Sequence, residues 1–413
     1  MSTELYINIK QLVNVRNHSY VLRGKELAEL PIIDNAYLLI EDGIIAGYGS
    51  MEDFIKRPLK IKNTFNVAGQ TILPSWCDSH THIVFAGSRE NEFVDKIKGL
   101  SYSEIAANGG GILNSAKKLS VISEDALFNQ AWKRIIEVSK SGTGAVEIKS
   151  GYGLSVDSEL KMLRVIKKLK ERSNLIIKST FLGAHTYPIK YTHNHAGYID
   201  LIINHMLPVI GKEKLADYID VFCENGFFSP EEMEMICKAG KQYGLKPKLH
   251  VNQLNSIGGI EVGIKADAVS LDHLEHLSPS EIEKLGKWKG ICTLLPSAAF
   301  FLRLPMQPAR DLINAGSAIA LASDYNPGSS PSGNMNFVIS LSCIQMKLLP
   351  EEAINAATIN GAFAMECNKE AGSITTGKKA NLNFIGKIPS IAYLPYKFGS
   401  QLIDKVMING QFI

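Results

Sequence analysis

No sign of charge dominates this 413-residue chain. Its 44 Lys plus Arg stand against 41 Asp plus Glu, and a net charge of +3 is too small to hold a polyanion, so nucleic acid is not an expected partner. No stretch approaches the roughly 18 consecutive apolar residues of a membrane span, and the opening Met1-Ser2-Thr3-Glu4-Leu5 does not lead into a signal-peptide core. A cytoplasmic protein without a membrane partner is the expectation. Six cysteines are scattered, with no C-x-x-C pair, which excludes a disulfide framework and reads as reduced thiols serving as small core residues. There is no Pro/Ser-rich linker and no low-complexity tract, so the chain should form one compact two-part unit. Gly109-Gly110-Gly111 is not followed by Gly-Lys-Ser/Thr, which argues against a phosphate cradle and for an active-site loop.

What is present is an ordinary globular composition, 45% hydrophobic and 21% charged, with length enough for a (β/α)8 barrel of about 250 residues and a smaller satellite. Residues 1–70 read as short strands, with Asp42-Gly43 between two apolar runs as a hairpin signal. From residue 71 apolar runs alternate with helical patterns, the texture of parallel βα units. Eight runs occur, at 71–77, 144–148, 175–181, 218–223, 246–250, 268–271, 290–295 and 318–322. Helices are expected at 157–171, opened by Asp157 as N-cap, at 230–243, opened by Ser229 and Pro230, and at 350–365. Strand-like runs return over 372–413. The predicted fold is therefore an α/β protein: a TIM-like (β/α)8 barrel over 71–371, inserted in a small β-sandwich built from 1–70 and 372–413.

The chemistry concentrates in Asp78-Ser79-His80-Thr81-His82, at the end of the first barrel run. Side chains alternate along an extended segment, so His80 and His82 face the same way and can grip one metal ion. His250 ends the fifth run, His273 lies just after the sixth, and Asp324 follows the eighth in Ala322-Ser323-Asp324. All five fall on the rim where barrel enzymes assemble their sites. Three imidazoles and a carboxylate suit a borderline divalent ion. A second H-x-H, His193-Asn194-His195, lies in a polar stretch between runs and is read as surface, as are His18, His205 and His276.

Leu73-Pro74-Ser75-Trp76-Cys77-Asp78-Ser79-His80-Thr81-His82, with the later order His, His, Asp, resembles the metal-dependent amidohydrolase superfamily. Within it, Glu147-Ile148-Lys149-Ser150-Gly151-Tyr152-Gly153, Phe181-Leu182-Gly183-Ala184-His185 and Ser323-Asp324-Tyr325-Asn326-Pro327-Gly328-Ser329 are similar to the imidazolonepropionase family, over nearly the whole chain. The resemblance implies hydrolysis of the cyclic amide of 4-imidazolone-5-propanoate in histidine degradation. It implies one Zn²⁺ or Fe³⁺ per subunit on His80, His82, His250 and Asp324. It also implies substrate contacts from Arg89, Tyr152, His185, Gln253, Asn326, Gly328 and Ser329. The alternative within the superfamily is a deaminase or cyclic-amide hydrolase acting on another small heterocycle.

Read as chemistry, Asp324 can take a proton from water and pass it to the departing nitrogen. His273 can orient that water, stabilise an oxyanion or brace the site from behind. The Arg89 fork matches a propionate carboxylate. Asn326-Pro327-Gly328-Ser329 reads as a turn offering backbone N–H groups. Gln253 stands where some relatives carry glutamate; an amide cannot take a proton from water, so the base is Asp324 or His273. Cys223-Glu224 occupies the place of the bridging lysine of two-metal relatives, so one metal is expected, and Lys149 is read as making a charge pair or hydrogen bond. A small-molecule substrate and, from base rates alone, a homodimer complete the expectations.

Overall fold

Runs in which almost every residue is buried on both faces set the architecture, because such strands must be covered on both sides. The computed structural model describes residues 2–56, 58, 61–100, 104 and 110–413; Gly109 of the Gly-rich run lies outside them. In chain order the strands are β1 Thr3–Val13, β2 Ile32–Glu41, β3 Ile44–Ser50, β4 Asn63–Asn66, β5 Thr71–Pro74, β6 Trp76–Thr81, β7 Thr143–Lys149, β8 Ile176–Ala184, β9 Tyr218–Cys223, β10 Lys246–Val251, β11 Ser270–His273, β12 Ile291–Leu294, β13 Ala318–Leu321, β14 Leu382–Ile385, β15 Ile403–Ile408 and β16 Gln411–Phe412.

Strands β6 to β13 form an 8-stranded sheet in sequence order, each parallel to the next. The ring closes between its first and last strands. Asp324 N donates to His80 O at 3.0 Å and His82 N to Tyr325 O at 2.9 Å. Asp78 reinforces the seam, its carboxylate accepting from Ser323 N at 2.9 Å and Ser323 Oγ at 2.5 Å. At the N-terminal mouth, the helix Ile359–Ala364 packs so closely that a Cβ on Gly361 would overlap Cys77 O. The C-terminal mouth is left for chemistry, as in other barrels of this kind.

Strands of both termini form a second 8-stranded sheet, in the order β16-β15-β14-β5-β1-β2-β3 with β4 also on β1. It curls around its own core of Tyr6, Leu38, Ile72, Leu382, Phe384 and Met407. The curl brings the Asp42-Gly43 turn, with φ of 47° and 78°, against the turn at Asn409-Gly410. Ala380 N donates to Gly43 O at 2.8 Å and Gly410 N to Ala380 O at 3.0 Å.

Several local expectations are corrected. The run 71–77 divides at Ser75: Thr71–Pro74 pairs with β1 and β14 in the terminal sheet, and the barrel begins at Trp76. The cap of Val156–Arg172 is Ser155, whose side chain accepts from Ser158 N, and Asp157 lies in the first turn. Segment 350–365 is two helices, Pro350–Ala357 and Ile359–Ala364, because Thr358 leaves helical geometry at φ −121° and ψ −87°. Ser229 forms a capping box with Glu232 as expected.

Candidate active site and metal centre

The alternation of β6 places His80 and His82 together over the C-terminal mouth, and β10 brings His250 to them. The three offer ligand atoms within 4.8 Å of one another. Asp324 Oδ1 lies 3.6 Å from His80 Nε2 and 3.5 Å from His82 Nε2. The His273 ring stands 5.0 Å from His250 and 5.6 Å from His80. The rim backbone is contorted to deliver these groups: Asn252, His273, Leu274 and Asp324 have φ of 55°, 84°, 65° and 54°. Such left-handed geometry in residues other than glycine concentrates where function over-determines the chain.

Residues the sequence reading did not single out hold the imidazoles. His80 Nδ1 bonds Asp272 Oδ2 at 2.7 Å, and His250 Nδ1 bonds Asp220 Oδ2 at 2.8 Å. Each Nδ1 thus carries its proton and turns Nε2 toward the mouth. Lys149 joins both supports, with Nζ 2.8 Å from Asp220 Oδ2, 3.4 Å from Asp272 Oδ2 and 2.8 Å from Glu147 Oε1. Burial alone would strip its charge, but Asp220, Glu147 and Asp272 hold its pKa well above the usual lysine value. Lys248 Nζ lies 3.0 Å from Glu147 Oε2 on the same fully buried floor and donates to Ser270 Oγ and Ala364 O, each at 2.9 Å. The available signal was polar side chains with a period of two inside buried strands, in Glu147/Lys149, Lys248/His250 and Ser270/Asp272.

Burial holds His80, His82 and His250 well below the ordinary imidazole range, so they are neutral with lone pairs available. His80 Nε2 is buried without a hydrogen-bond partner among the described residues. An orphaned, neutral imidazole nitrogen beside two others and a carboxylate fits a metal ion. Burial also pushes Asp324 up to about 6, against the pull of His273, Asn326 and Ser329. For His273 burial acts downward, but the carboxylates of Glu275, 3.3 Å from Nδ1, Asp324 and Asp272 together outweigh it and the pKa rises.

The remaining expected residues surround this cluster. Tyr152 and His185 flank His82, with ring centroids 5.8 and 5.5 Å away. Burial depresses His185 to about 4 and raises the Tyr152 phenol. Gln253 is nearly buried on the turn leaving β10. Arg89 lies at the edge, its Nε and Nη2 on Glu92 Oε2 at 2.8 and 2.5 Å, while Nη1 packs on Gly328 so tightly that a Cβ there would collide. A cavity of about 410 Å³, lined by Phe85, Arg89, Phe93, Phe301, Tyr325 and Pro327 among others, opens beside it. One expectation changes: the N–H groups of Gly328 and Ser329 are not open to a ligand, because both donate to Asn326 Oδ1 at 2.8 Å. Asn326 Nδ2 and Ser329 Oγ brace Asp324 instead. His195 is exposed, as the surface assignment required, and stacks on Tyr187 at 3.7 Å outside the group His80, His82 and His250.

This barrel with histidines on its first, fifth and sixth strands matches the amidohydrolase family over residues 71–413. It superposes on E. coli guanine deaminase with a TM-score of 0.75 at 13% identity, covering 100% of this chain and 99% of that one. A triazine hydrolase variant gives 0.75 at 15% identity, with 99% and 94% covered. Among curated proteins, the imidazolonepropionase of Flavobacterium johnsoniae is 58% identical over 407 residues, 98% of each chain. That of Geobacillus sp. is 39% identical, with 98% and 96% covered. The chain belongs to the amidohydrolase family and, within it, to the imidazolonepropionases.

Proposed function

We propose that the protein hydrolyses the ring amide of 4-imidazolone-5-propanoate to N-formimidoyl-L-glutamate, a step of histidine degradation, and uses one Zn²⁺ or Fe³⁺ per subunit held by His80, His82, His250 and Asp324. The observation that carries this reading is the convergence of three neutral imidazoles and Asp324 at one mouth of the barrel, with an arginine at its edge. When bound, the ion supplies a Lewis acid that polarises the ring carbonyl and acidifies the attacking water.

The chain's own residues do the rest. Asp324 takes the proton from water as the new C–O bond forms. It then delivers that proton to the ring nitrogen as the C–N bond breaks, leaving a formimidoyl group and a carboxylic acid that releases its proton to solvent. His273, kept basic by Glu275, donates a hydrogen bond to the oxygen that gains charge. Arg89 holds the propionate, while Tyr152, His185 and Gln253 border the ring. Asn326, Gly328 and Ser329 act on substrate by shaping the Arg89 and Asp324 surroundings. Gln253 cannot serve as base, which leaves Asp324 or His273, and this reading gives the proton transfer to Asp324 and the oxyanion to His273.

No described helix is long and apolar enough to cross a membrane. The same reading gives a cytoplasmic homodimer with a small-molecule substrate, supported by the unpaired thiols and by the frequency of symmetric dimers. The test is loss of imidazolone absorbance on mixing with purified protein, alongside metal analysis. Turnover should track one ion per chain, vanish with a chelator and return on reloading. Full turnover by metal-free protein, or none by loaded protein, would contradict the reading.

A further inference from the structure

Glu159 is fully buried on the first turns of the helix Val156–Arg172 and is not among the groups assigned above to metal or substrate. Its carboxylate turns back over the helix start and meets only donors. Oε2 accepts from Gly151 N at 3.1 Å, and Oε1 accepts from Gly153 N at 2.6 Å and Leu154 N at 3.2 Å. A buried carboxylate satisfied by main-chain N–H groups is costly unless every donor is aimed at it, and here a whole loop is shaped to do so. Gly151 takes φ of 107° and Leu154 φ of 52°. A side chain at Gly153 would collide with Glu159 itself.

The loop so anchored serves the reaction centre at three successive residues. Ser150 O faces His82 Nδ1 at 3.4 Å. Gly151 O bonds His185 Nδ1 at 3.1 Å. Tyr152 stands edge-on to both imidazoles. The two carbonyls place the ring protons on Nδ1 and turn both Nε2 atoms toward the mouth. We infer that Glu159 is a positioning residue for the hydrolysis, acting through the loop 150–154 to set the orientation and tautomer of His82 and His185 and the place of Tyr152. This rests on the function proposed above.

Glu159→Gln tests it, because the amide puts N–H groups against N–H groups and keeps the size. In enzyme shown by metal analysis to be loaded and by circular dichroism to be folded, kcat should fall about 100-fold, the scale of a 1 Å misplacement. Glu159→Asp, which keeps the charge but shortens the reach, should fall between. A purely structural anchor would lower Tm and leave kcat per folded, loaded molecule unchanged, and that result would overturn the inference. Should Glu159→Gln not fold, ¹⁵N-histidine spectra of Glu159→Asp decide against those of the unaltered enzyme: the His185 and His82 ring signals should move away from the Nδ1–H tautomer, and spectra identical in the two proteins would overturn the inference. Failure of unaltered enzyme to open the imidazolone ring is a different outcome, one that contradicts the function and leaves the tautomer measurement intact.

Discussion

At the scale of residues, the proposed site holds neutral imidazoles in one orientation beside a carboxylate whose pKa burial raises. Asp220, Asp272 and Lys149 fix the imidazoles. The role proposed for Arg89 is separable. Arg89→Ala should raise KM for the propionate substrate roughly 10- to 100-fold, the value of a lost charge-assisted bidentate contact. It should leave KM for an analogue without the tail nearly unchanged, and Arg89→Lys should restore little. Steady-state kinetics on both compounds check this; equal effects on the two would remove Arg89 from tail recognition. The histidines were legible in sequence because imidazole is scarce and each fell at a strand end. Asp220 and Asp272 were not, since a carboxylate inside a short run looks the same whether it faces solvent or a neighbouring strand's histidine.

At the scale of elements, all eight barrel runs were legible, because strands covered on both faces must be apolar nearly throughout. The start of the barrel was not: the run 71–77 is apolar on both sides of Ser75, and only pairing partners assign its two parts to different sheets. The break at Thr358 was equally invisible, as helical spacing continues across it. Closure of the ring depends on the seam between β6 and β13. Ser323→Ala removes the hydroxyl that Asp78 accepts and leaves a buried carboxylate short of a donor. It should cost about 1–3 kcal/mol, read as a lower urea midpoint. A midpoint equal to the wild type would mean that the seam does not need this clasp.

At the scale of the whole molecule, polar side chains tie down the segments that run between the terminal sheet and the barrel. Asn360 Nδ2 reaches Leu22 O at 2.9 Å and Ile319 O at 2.8 Å. Lys378 donates to Ser19 Oγ, Ala371 O and Ser373 Oγ, each at 2.8 Å. Burial lowers Lys378 from 10.5 to about 8. Between those two pH values the unfolded chain holds the extra proton, so stability attributable to Lys378 rises with pH across that window. Compared with Lys378→Met, the wild type should gain urea resistance from pH 8 to pH 10; a constant or falling difference would mean that burial does not destabilise this charge.

The most direct test of the central claim is an anomalous-scattering crystallographic map of protein loaded with its natural ion. The account predicts a single peak per chain at coordination distance, about 2 Å, from His80, His82, His250 and Asp324. A peak elsewhere, or a second peak at the floor formed by Lys149, Asp220 and Asp272, would contradict it.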